Sequence, residues 1–389
     1  MKVDDLVMDQ GQRRLYVFER KLSPESEIRG EQLSGLRRVI IHNAYLTEEV
    51  SDLLQDAGVE AVPYRPLKST EVHFYVPAQG HLHIVNSRGI IRLQRDLDQV
   101  EMLEHILGRN IAVQVNHYGN QRAKASKRFR DFAYDLVDRA FDKLKEEKQH
   151  IQQQGSIAVM LGPHEAWEGA LQDMEIVAEE ENDFLNYKIL KIGDKVAIAF
   201  DYIFADQARN VLGEFYTMVD SHFEGLDVEV FHYGKIGLLN SALAIGQVCV
   251  PISALDEKRI HGGDRRLSPI HNQLYLDEQT AKRFAELVEQ KPFTGTTVNT
   301  ISVLGQTRKG LELNLQAGGD FLDMEWLVMA SLDHGVHSGY PRIRNIRYYF
   351  AGVGSDKPLE GKTLGDTPEP KEQESRIAKA FVELIRRGK

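Results

Sequence analysis

The sequence predicts an α/β protein, in which a larger domain built on a mostly parallel sheet follows a smaller α/β domain. Two observations support this fold class. After residue 155, apolar runs typical of strands alternate with segments of helical periodicity. Before that point the elements are shorter and mixed, and a long charged helical segment separates the two parts.

The smaller domain is assigned to residues 1–150 and is expected to be regulatory or oligomerising. Thr47 can cap a short helix that stops at Gly58. The apolar patterns predict strands at Arg38–His42, Val72–Val76, His81–Val85, Ile90–Leu93 and Ile111–Val115, and helices at 47–58, 99–107 and 121–150.

The larger domain is assigned to residues 151–389. Its strands are predicted at 156–161, 188–192, 195–203, 228–233, 247–252, 297–303 and 346–353. Its helices are predicted at 165–178, 206–222, 278–290, 308–317, 321–334 and 377–387.

The composition limits the classes of function that the protein can have. The 389 residues suffice for two cores, and 42% apolar with 27% charged residues is typical of a globular protein. A net charge of −10 argues against nucleic acid as the main partner, because such proteins usually carry a basic surplus. No run approaches the ~18 apolar residues of a membrane span, and the N-terminus has no signal-peptide core. We therefore expect a cytoplasmic protein without a membrane partner.

Cysteine and histidine patterns predict neither a disulfide nor a metal site. Cys249 is the single cysteine and lies in an apolar run, so a buried strand position is expected. His81 and His83 alternate on a strand with no cysteine or carboxylate set nearby, so we expect them on the surface. We expect no cofactor.

Four segments at strand ends or helix starts can carry chemistry: 159–165, 231–239, 321–326 and 353–356. Ligand sites in α/β sheets gather at such positions. Singly, each segment fits an ordinary turn or cap. Glu325 is less ordinary, since its apolar neighbours would bury it and a buried carboxylate needs a partner.

Taken in order, the segments resemble the nucleoside phosphorylase/nucleosidase superfamily over about residues 155–365. Within this superfamily, the sequence most resembles AMP nucleosidase and methylthioadenosine/adenosylhomocysteine nucleosidase. The resemblance implies a three-layer phosphorylase-like domain with a mostly parallel, mixed central sheet flanked by helices. The matching segments are Leu161-Gly162, His232–Gly237, Ile245–Pro251, Ile301–Val303, Asp323-Met324-Glu325 and Ser355-Asp356.

The resemblance also implies chemistry. Cleaving an N-glycosidic bond requires a proton for the leaving base, and a carboxylic acid whose pKa is kept high by burial can supply it. Asp356, oriented by Ser355, takes this role, and Glu325 accepts hydrogen bonds from ribose hydroxyls. The implied substrate-binding residues are Met324, Asp323, Phe321, Ser355, Tyr202, Ser302 and Val303, with Phe321 or Tyr202 stacking on the base. The implied phosphate or anion residues are Gly162, His232, Gly234 and Lys235.

The sequence departs from the phosphorylase pattern at the phosphate site. No arginine occurs between Gly162 and Arg209, and Lys235 replaces a small hydroxyl residue. Hydrolysis needs only water and a base, which Glu165 or His164 can supply. We therefore favour a hydrolytic nucleosidase acting on a purine nucleoside or nucleotide, working as a homo-oligomer. A phosphorylase with inorganic phosphate as co-substrate and a rebuilt phosphate site, and a catalytically inactive nucleoside- or nucleotide-binding module, remain the alternatives.

Overall fold

The structure is a computed structural model of the whole chain. It describes residues 33–43, 47–64, 73–86, 96–97, 100, 103–104, 107–117, 122–162, 164–180, 186–201, 206–300, 307–333, 340–361 and 370–387. Among these residues, no helix combines the length and the apolar character required to cross a membrane.

The chain forms two compact units, a smaller one that ends at Asp131 and a larger one that begins at Phe132. This boundary lies inside the long helix, whereas the sequence suggested a boundary after it. The physical reason is packing, because the second half of the helix belongs to the core of the larger unit. The Phe141 ring meets those of Phe215 and Phe223 at 5.3 and 6.1 Å between centroids.

The described residues of the smaller unit form β1 (Arg38–Asn43), α1 (Thr47–Asp56), β2 (Val62–Tyr64), β3 (His73–Val76), β4 (His81–Asn86) and β5 (Ala112–His117). These five strands make one sheet in the order β2-β3-β4-β1-β5. Strand β1 pairs in parallel with β4 and β5, and β3 is antiparallel to β2 and β4. Helix α1 covers one face, where Val50 and Leu54 pack on Phe74 and Val85.

The larger unit holds a ten-stranded mixed sheet, and the predicted fold class is confirmed. Its strands are β6 (Ser156–Gly162), β7 (Glu175–Glu180), β8 (Tyr187–Ile192), β9 (Lys195–Asp201), β10 (Leu226–Leu238), β11 (Val248–Asp256), β12 (Ser268–Pro269), β13 (Phe293–Asn299), β14 (Phe321–Asp323) and β15 (Ile343–Asp356).

Helices flank this sheet. They are α2 (Arg122–Leu144), α3 (Lys148–Gln154), α4 (His164–Leu171), α5 (Asp206–His222), α6 (Glu257–His261), α7 (Gln273–Leu276), α8 (Glu278–Leu287), α9 (Arg308–Gln316), α10 (Trp326–Asp333) and α11 (Lys371–Arg387). Short 3₁₀ turns occupy Lys145–Glu147 and Pro358–Glu360.

Adjacent residues of β15 show the three layers. Tyr349 faces one side, where it stacks on Phe231 at 4.3 Å and joins the cluster that contains Phe381 of α11. Tyr348 faces the other side, where its hydroxyl lies 3.1 Å from the carbonyl oxygen of Met329 in α10. Because side chains alternate along a strand, the sheet is buried between two helical layers.

Five strands of the sheet close into a ring. β10 pairs with β15, β15 with β11, β11 with β13, β13 with β14, and β14 returns to β10. This closure has a direct consequence for the predicted site. It places Gly237 of β10 between Leu322 of β14 and Asp356 of β15.

Two elements differ from the sequence prediction. Residues predicted as the end of helix 165–178 form strand β7, since α4 ends at Leu171. Residues predicted as the start of helix 321–334 form β14, and α10 begins at Trp326. β7 is an edge strand rich in glutamate, which favours helices, and β14 has only three residues. Neither strand therefore shows a clear period-two pattern.

The single helix predicted over 121–150 is divided in the structure into α2, a 3₁₀ turn and α3. The polar run at 151–154 continues α3 to Gln154, and Gly155 follows as its C-cap with φ 68°. The predicted strand Ile90–Leu93 lies outside the described residues.

The expectation for Cys249 is confirmed, because it is buried in β11 and burial raises the pKa of its thiol. The expectation for His83 is wrong, because this histidine is 7% exposed. Its Nδ1 lies 2.9 Å from Nε2 of His42 on the neighbouring strand, which explains its tolerance of burial.

Candidate active site

Asp356 ends β15 at a β-bulge. Ile236 pairs with Gly354 and Gly237 with Asp356, so Ser355 is the extra residue that re-aims the chain. Both carboxyl oxygens of Asp356 lie 3.6 Å from the position that a Cβ of Gly237 would take. The glycine thus leaves room for the carboxyl group to lie against β10, where Asp356 is 8% exposed.

The protonation of Asp356 is set mainly by burial, which raises its pKa to about 7, while the hydrogen bond with Ser355 opposes the shift. Ser355 Oγ lies 2.7 Å from Asp356 Oδ1 and 3.2 Å from the carbonyl oxygen of Ile236. A hydroxyl has one proton to donate but can also accept. It can therefore donate to the ionised carboxylate, or donate to Ile236 and accept from the protonated acid.

Asp323 and Glu325 form a second acidic group. Asp323 ends β14, and its Oδ1 accepts from the backbone N–H groups of Glu325 at 2.9 Å and Trp326 at 2.6 Å, which caps α10. Burial raises the pKa of Asp323 to about 6, and a side-chain hydrogen bond with Glu325 opposes this. Two neighbouring buried carboxyl groups cannot both ionise cheaply, so this pair holds a proton readily.

Trp326 fixes Glu325 relative to the ring of strands. Its Nε1 donates to Nδ1 of His232 at 2.9 Å, and its ring lies against Gly352, where a Cβ would be 2.8 Å from Cη2. His232 is fully enclosed, and burial lowers its pKa to about 3. It is therefore neutral at physiological pH and supplies no positive charge to a phosphate, contrary to its predicted anion-binding role.

The two acidic groups approach the same end of β10 from either side. Neighbouring strands lie about 4.8 Å apart, so the backbones of Leu322 and Asp356 flank Gly237 about 10 Å from each other. Leu322 and Asp356 occupy the face to which a Cβ of Gly237 would point. Strand alternation directs Asp323 to the opposite face, and Glu325 follows in the turn before α10.

Gly162 and Gly234, which the sequence analysis placed in turns, lie in strands β6 and β10. A Cβ at Gly162 would lie 2.8 Å from Nε1 of Trp167 and 3.0 Å from Cε1 of Tyr233. Gly162 therefore makes room for two aromatic rings, whose centroids are 5.1 Å apart. At Gly234, a Cβ would lie 3.6 Å from Cε1 of His232, which is ordinary van der Waals contact.

Lys235 has an acidic partner on another element. Its Nζ lies 3.5 Å from Oε1 of Glu374 in α11, and the two side chains are 26% and 8% exposed. Lys235 and Gly237 are two residues apart on β10, so they share the face on which the Asp356 carboxyl lies.

The remaining predicted residues divide into three groups. Phe321 is fully buried and meets Trp326 edge-to-face at 6.0 Å, so its ring belongs to the core and is not placed to stack on a base. Met324 lies partly exposed between the two acidic residues. Those outside the described part are Tyr202, Ser302 and Val303, together with the side chains of His164 and Glu165.

Sequence reasoning missed three residues of this region: Trp167, Trp326 and Glu374. Trp326 follows the Met-Glu pair directly, and a tryptophan next to a candidate site residue was the available signal. Glu374 lies in a charged stretch with no local feature that separates it from its acidic neighbours. Only the packing of α11 on β10 brings it to Lys235.

Comparison with known proteins gives structural likenesses at low identity. No protein-family model matches the sequence, and no curated protein matches it. A putative methylthioadenosine nucleosidase from Weissella paramesenteroides has a TM-score of 0.45 and 14% identity, covering 59% of this chain and 97% of its own. Futalosine hydrolase from Helicobacter pylori has a TM-score of 0.46 and 12% identity, covering 59% and 97%.

A third similar structure is isoform 2 of purine nucleoside phosphorylase from Schistosoma mansoni, in complex with cytosine and ribose-1-phosphate. Its TM-score is 0.45 at 10% identity, covering 65% of this chain and 96% of its own. The three are described as a putative nucleosidase, a hydrolase and a phosphorylase. At these identities, function has to be inferred from the side chains themselves.

Proposed function

We propose that this protein is a hydrolytic nucleosidase that cleaves the N-glycosidic bond of a purine nucleoside or nucleotide. The observation that carries the proposal is Asp356, a buried carboxyl group whose pKa is raised to about 7. About half of such a group is protonated at neutral pH, where it can give a proton to a departing base. Ser355 is placed to serve both protonation states.

Glu325 is proposed to hold the ribose hydroxyls. The backbone N–H of Glu325 donates to Asp323 Oδ1. The next residue, Trp326, is anchored by its ring to β10 and β15, and together these contacts set the position of Glu325. Glu325 is 9% exposed, so its carboxyl group is desolvated enough for hydrogen bonds to a sugar to be strong.

The bond between the sugar carbon and the nitrogen of the nucleobase breaks as the sugar develops oxocarbenium character, and the nucleobase takes a proton from Asp356. The Asp356 carboxylate left behind accepts a hydrogen bond from Ser355. Water adds to the sugar carbon, and Glu165 or His164 is proposed to take the proton that the water loses. Exchange of protons with solvent returns this group and Asp356 to their starting states.

The direct test is a panel of nucleosides and nucleotides, incubated with and without phosphate, with released base measured by chromatography. Wild type should release base, and Asp356→Asn should reduce the rate by about 10²–10⁴-fold. Asp264→Asn is the matched control, since Asp264 lies on an exposed loop in an ion pair with Arg266 and should leave the rate unchanged. No release from wild type, or full release from Asp356→Asn, contradicts the proposal, and tight binding without turnover identifies a binding module instead.

The protein is further proposed to act as a homo-oligomer in the cytoplasm, as the resemblance implies. Light scattering on the purified chain tests the first part, since a monomer at working concentration contradicts it.

A further inference from the structure

We infer that the Glu374 carboxylate occupies the anion subsite of the proposed nucleosidase, and that it makes the protein reject inorganic phosphate as a co-substrate. The inference rests on the proposed function and names Glu374 as a specificity-determining residue. It starts from the ion pair between Lys235 and Glu374, which joins strand β10 to the first turn of α11.

The location of the pair relative to Asp356 follows from strand geometry. Lys235 precedes Gly237 by two residues, and alternate residues of a strand share a face about 7 Å apart. The Asp356 carboxyl lies against that same face of Gly237. The lysine ammonium, the glutamate and the proposed acid therefore occupy one side of one strand end, where a phosphate nucleophile would have to bind.

The lysine charge is matched by a fixed carboxylate. Glu374 is 6% exposed, and its Oε1 makes an ion pair at 3.5 Å without the angular geometry of a hydrogen bond. The first turn of α11 adds a favourable helix-dipole field for this negative charge. The carboxylate offsets the charge of the ammonium, so the pair offers an incoming phosphate little net attraction.

Three other described residues of this region do not add a cation. His232, on the other face of β10, is neutral because burial lowers its pKa to about 3. Trp167 and Tyr233, which fill the space over Gly162, are uncharged. Water needs no such clamp, so the arrangement selects hydrolysis over phosphorolysis.

Removing the carboxylate should expose the site to a soluble anion. Lys235 is partly shielded from solvent, so losing the Glu374 carboxylate leaves excess positive charge that an anion from solution can balance. In Glu374→Gln we expect saturable binding of inorganic phosphate, at least about tenfold tighter than in wild type, measured by calorimetry at constant ionic strength. Glu374→Gln combined with Lys235→Met should lose this binding.

The matched control is Glu372→Gln. Glu372 lies in the same helical turn and pairs with Arg376 at 2.6 Å, but its side chain is 70% exposed. Glu372→Gln removes the same charge from α11 as Glu374→Gln does, and it should leave phosphate binding at the wild-type level. Sulfate should bind to Glu374→Gln as phosphate does, because the subsite is expected to recognise a tetrahedral dianion.

The binding measurement needs no turnover, so it separates this inference from the proposed function. Specific phosphate binding by the wild-type protein overturns the inference about Glu374, even if Glu374→Gln does not fold. A folded Glu374→Gln that binds phosphate no better than Glu372→Gln also overturns it. If wild type is an active hydrolase, its rate should be the same with and without phosphate, and ribose 1-phosphate as its product would contradict the inference.

Discussion

At the scale of single residues, the hydrogen bond between Asp356 and Ser355 leads to a prediction about the pH dependence of kcat/KM. The protonated acid is the active form, so kcat/KM should fall as pH rises through about 7. The Ser355 hydrogen bond lowers the pKa of Asp356, so Ser355→Ala should raise it and move the falling limb to higher pH. The pH–rate profile measures this. Ser221→Ala, which removes a hydroxyl bonded to the Thr217 carbonyl on α5, should leave the limb in place.

A second residue-scale prediction uses two buried tryptophans that differ in hydrogen bonding. Trp326 Nε1 donates to His232, whereas the buried Nε1 of Trp167 has no partner among the described residues. Trp326→Phe leaves the His232 nitrogen unsatisfied in the core, which costs about 1–3 kcal/mol. Trp167→Phe removes an N–H that was already unsatisfied. Urea unfolding should show the larger loss for Trp326→Phe, and equal losses would contradict the assigned hydrogen bond.

At the scale of elements, β15 is shaped to receive α10. A Cβ at position 352 would lie 2.8 Å from both Ile236 Cγ2 and Trp326 Cη2, so Gly352→Ala forces the indole and the preceding Glu325 to move. We expect a loss of about 1–3 kcal/mol in unfolding free energy and a higher KM. Gly213→Ala is the control. Position 213 lies within α5 with nothing near its Cβ position, so it should stabilise by roughly 0.5–1 kcal/mol.

The elements also show what the sequence could predict. The strands predicted at 156–161 and 228–233 correspond to β6 and to the first half of β10, because their apolar runs are clear. The glycines 234 and 237 were expected to form a turn, but β10 continues through them to Leu238 because it pairs with β15. The strand β14 was missed since three residues are too few to show a period, yet it places Leu322 beside Gly237. Asp356 and Glu325 were selected from their motifs, and their roles stay predictions. The protonation of Asp356 was only partly predictable, because it depends on burial by elements that are distant in sequence.

At the scale of the whole molecule, the buried titratable groups of the two units respond differently to acid. In the smaller unit, burial lowers the pKa values of His42 and His83 to about 4. Their folded pKa values lie below the unfolded value of 6.5, so the neutral forms stabilise the fold above pH 6.5. This contribution declines as pH falls from 6.5 towards 4.

In the larger unit, Asp356 and Asp323 have pKa values raised to about 7 and about 6. Their folded values lie above the unfolded value of 3.8, so protonation stabilises the fold at low pH and the contribution is lost as pH rises through 6 to 7. Between pH 7.5 and 5 this gain opposes the loss at His232, whose pKa is lowered to about 3.

Amide hydrogen exchange, corrected for the intrinsic pH dependence, should resolve this difference. Strands β1 and β4 should lose protection between pH 7.5 and 5, on the order of 2 kcal/mol, while β6 and β10 should change less. His83→Gln removes one titrating ring and keeps a hydrogen-bonding side chain opposite His42, so it should reduce the loss in β1 and β4 alone. Equal loss of protection in all four strands would show that the histidine pair does not govern acid sensitivity, because a buried pair can act only on the unit that its protonation disrupts.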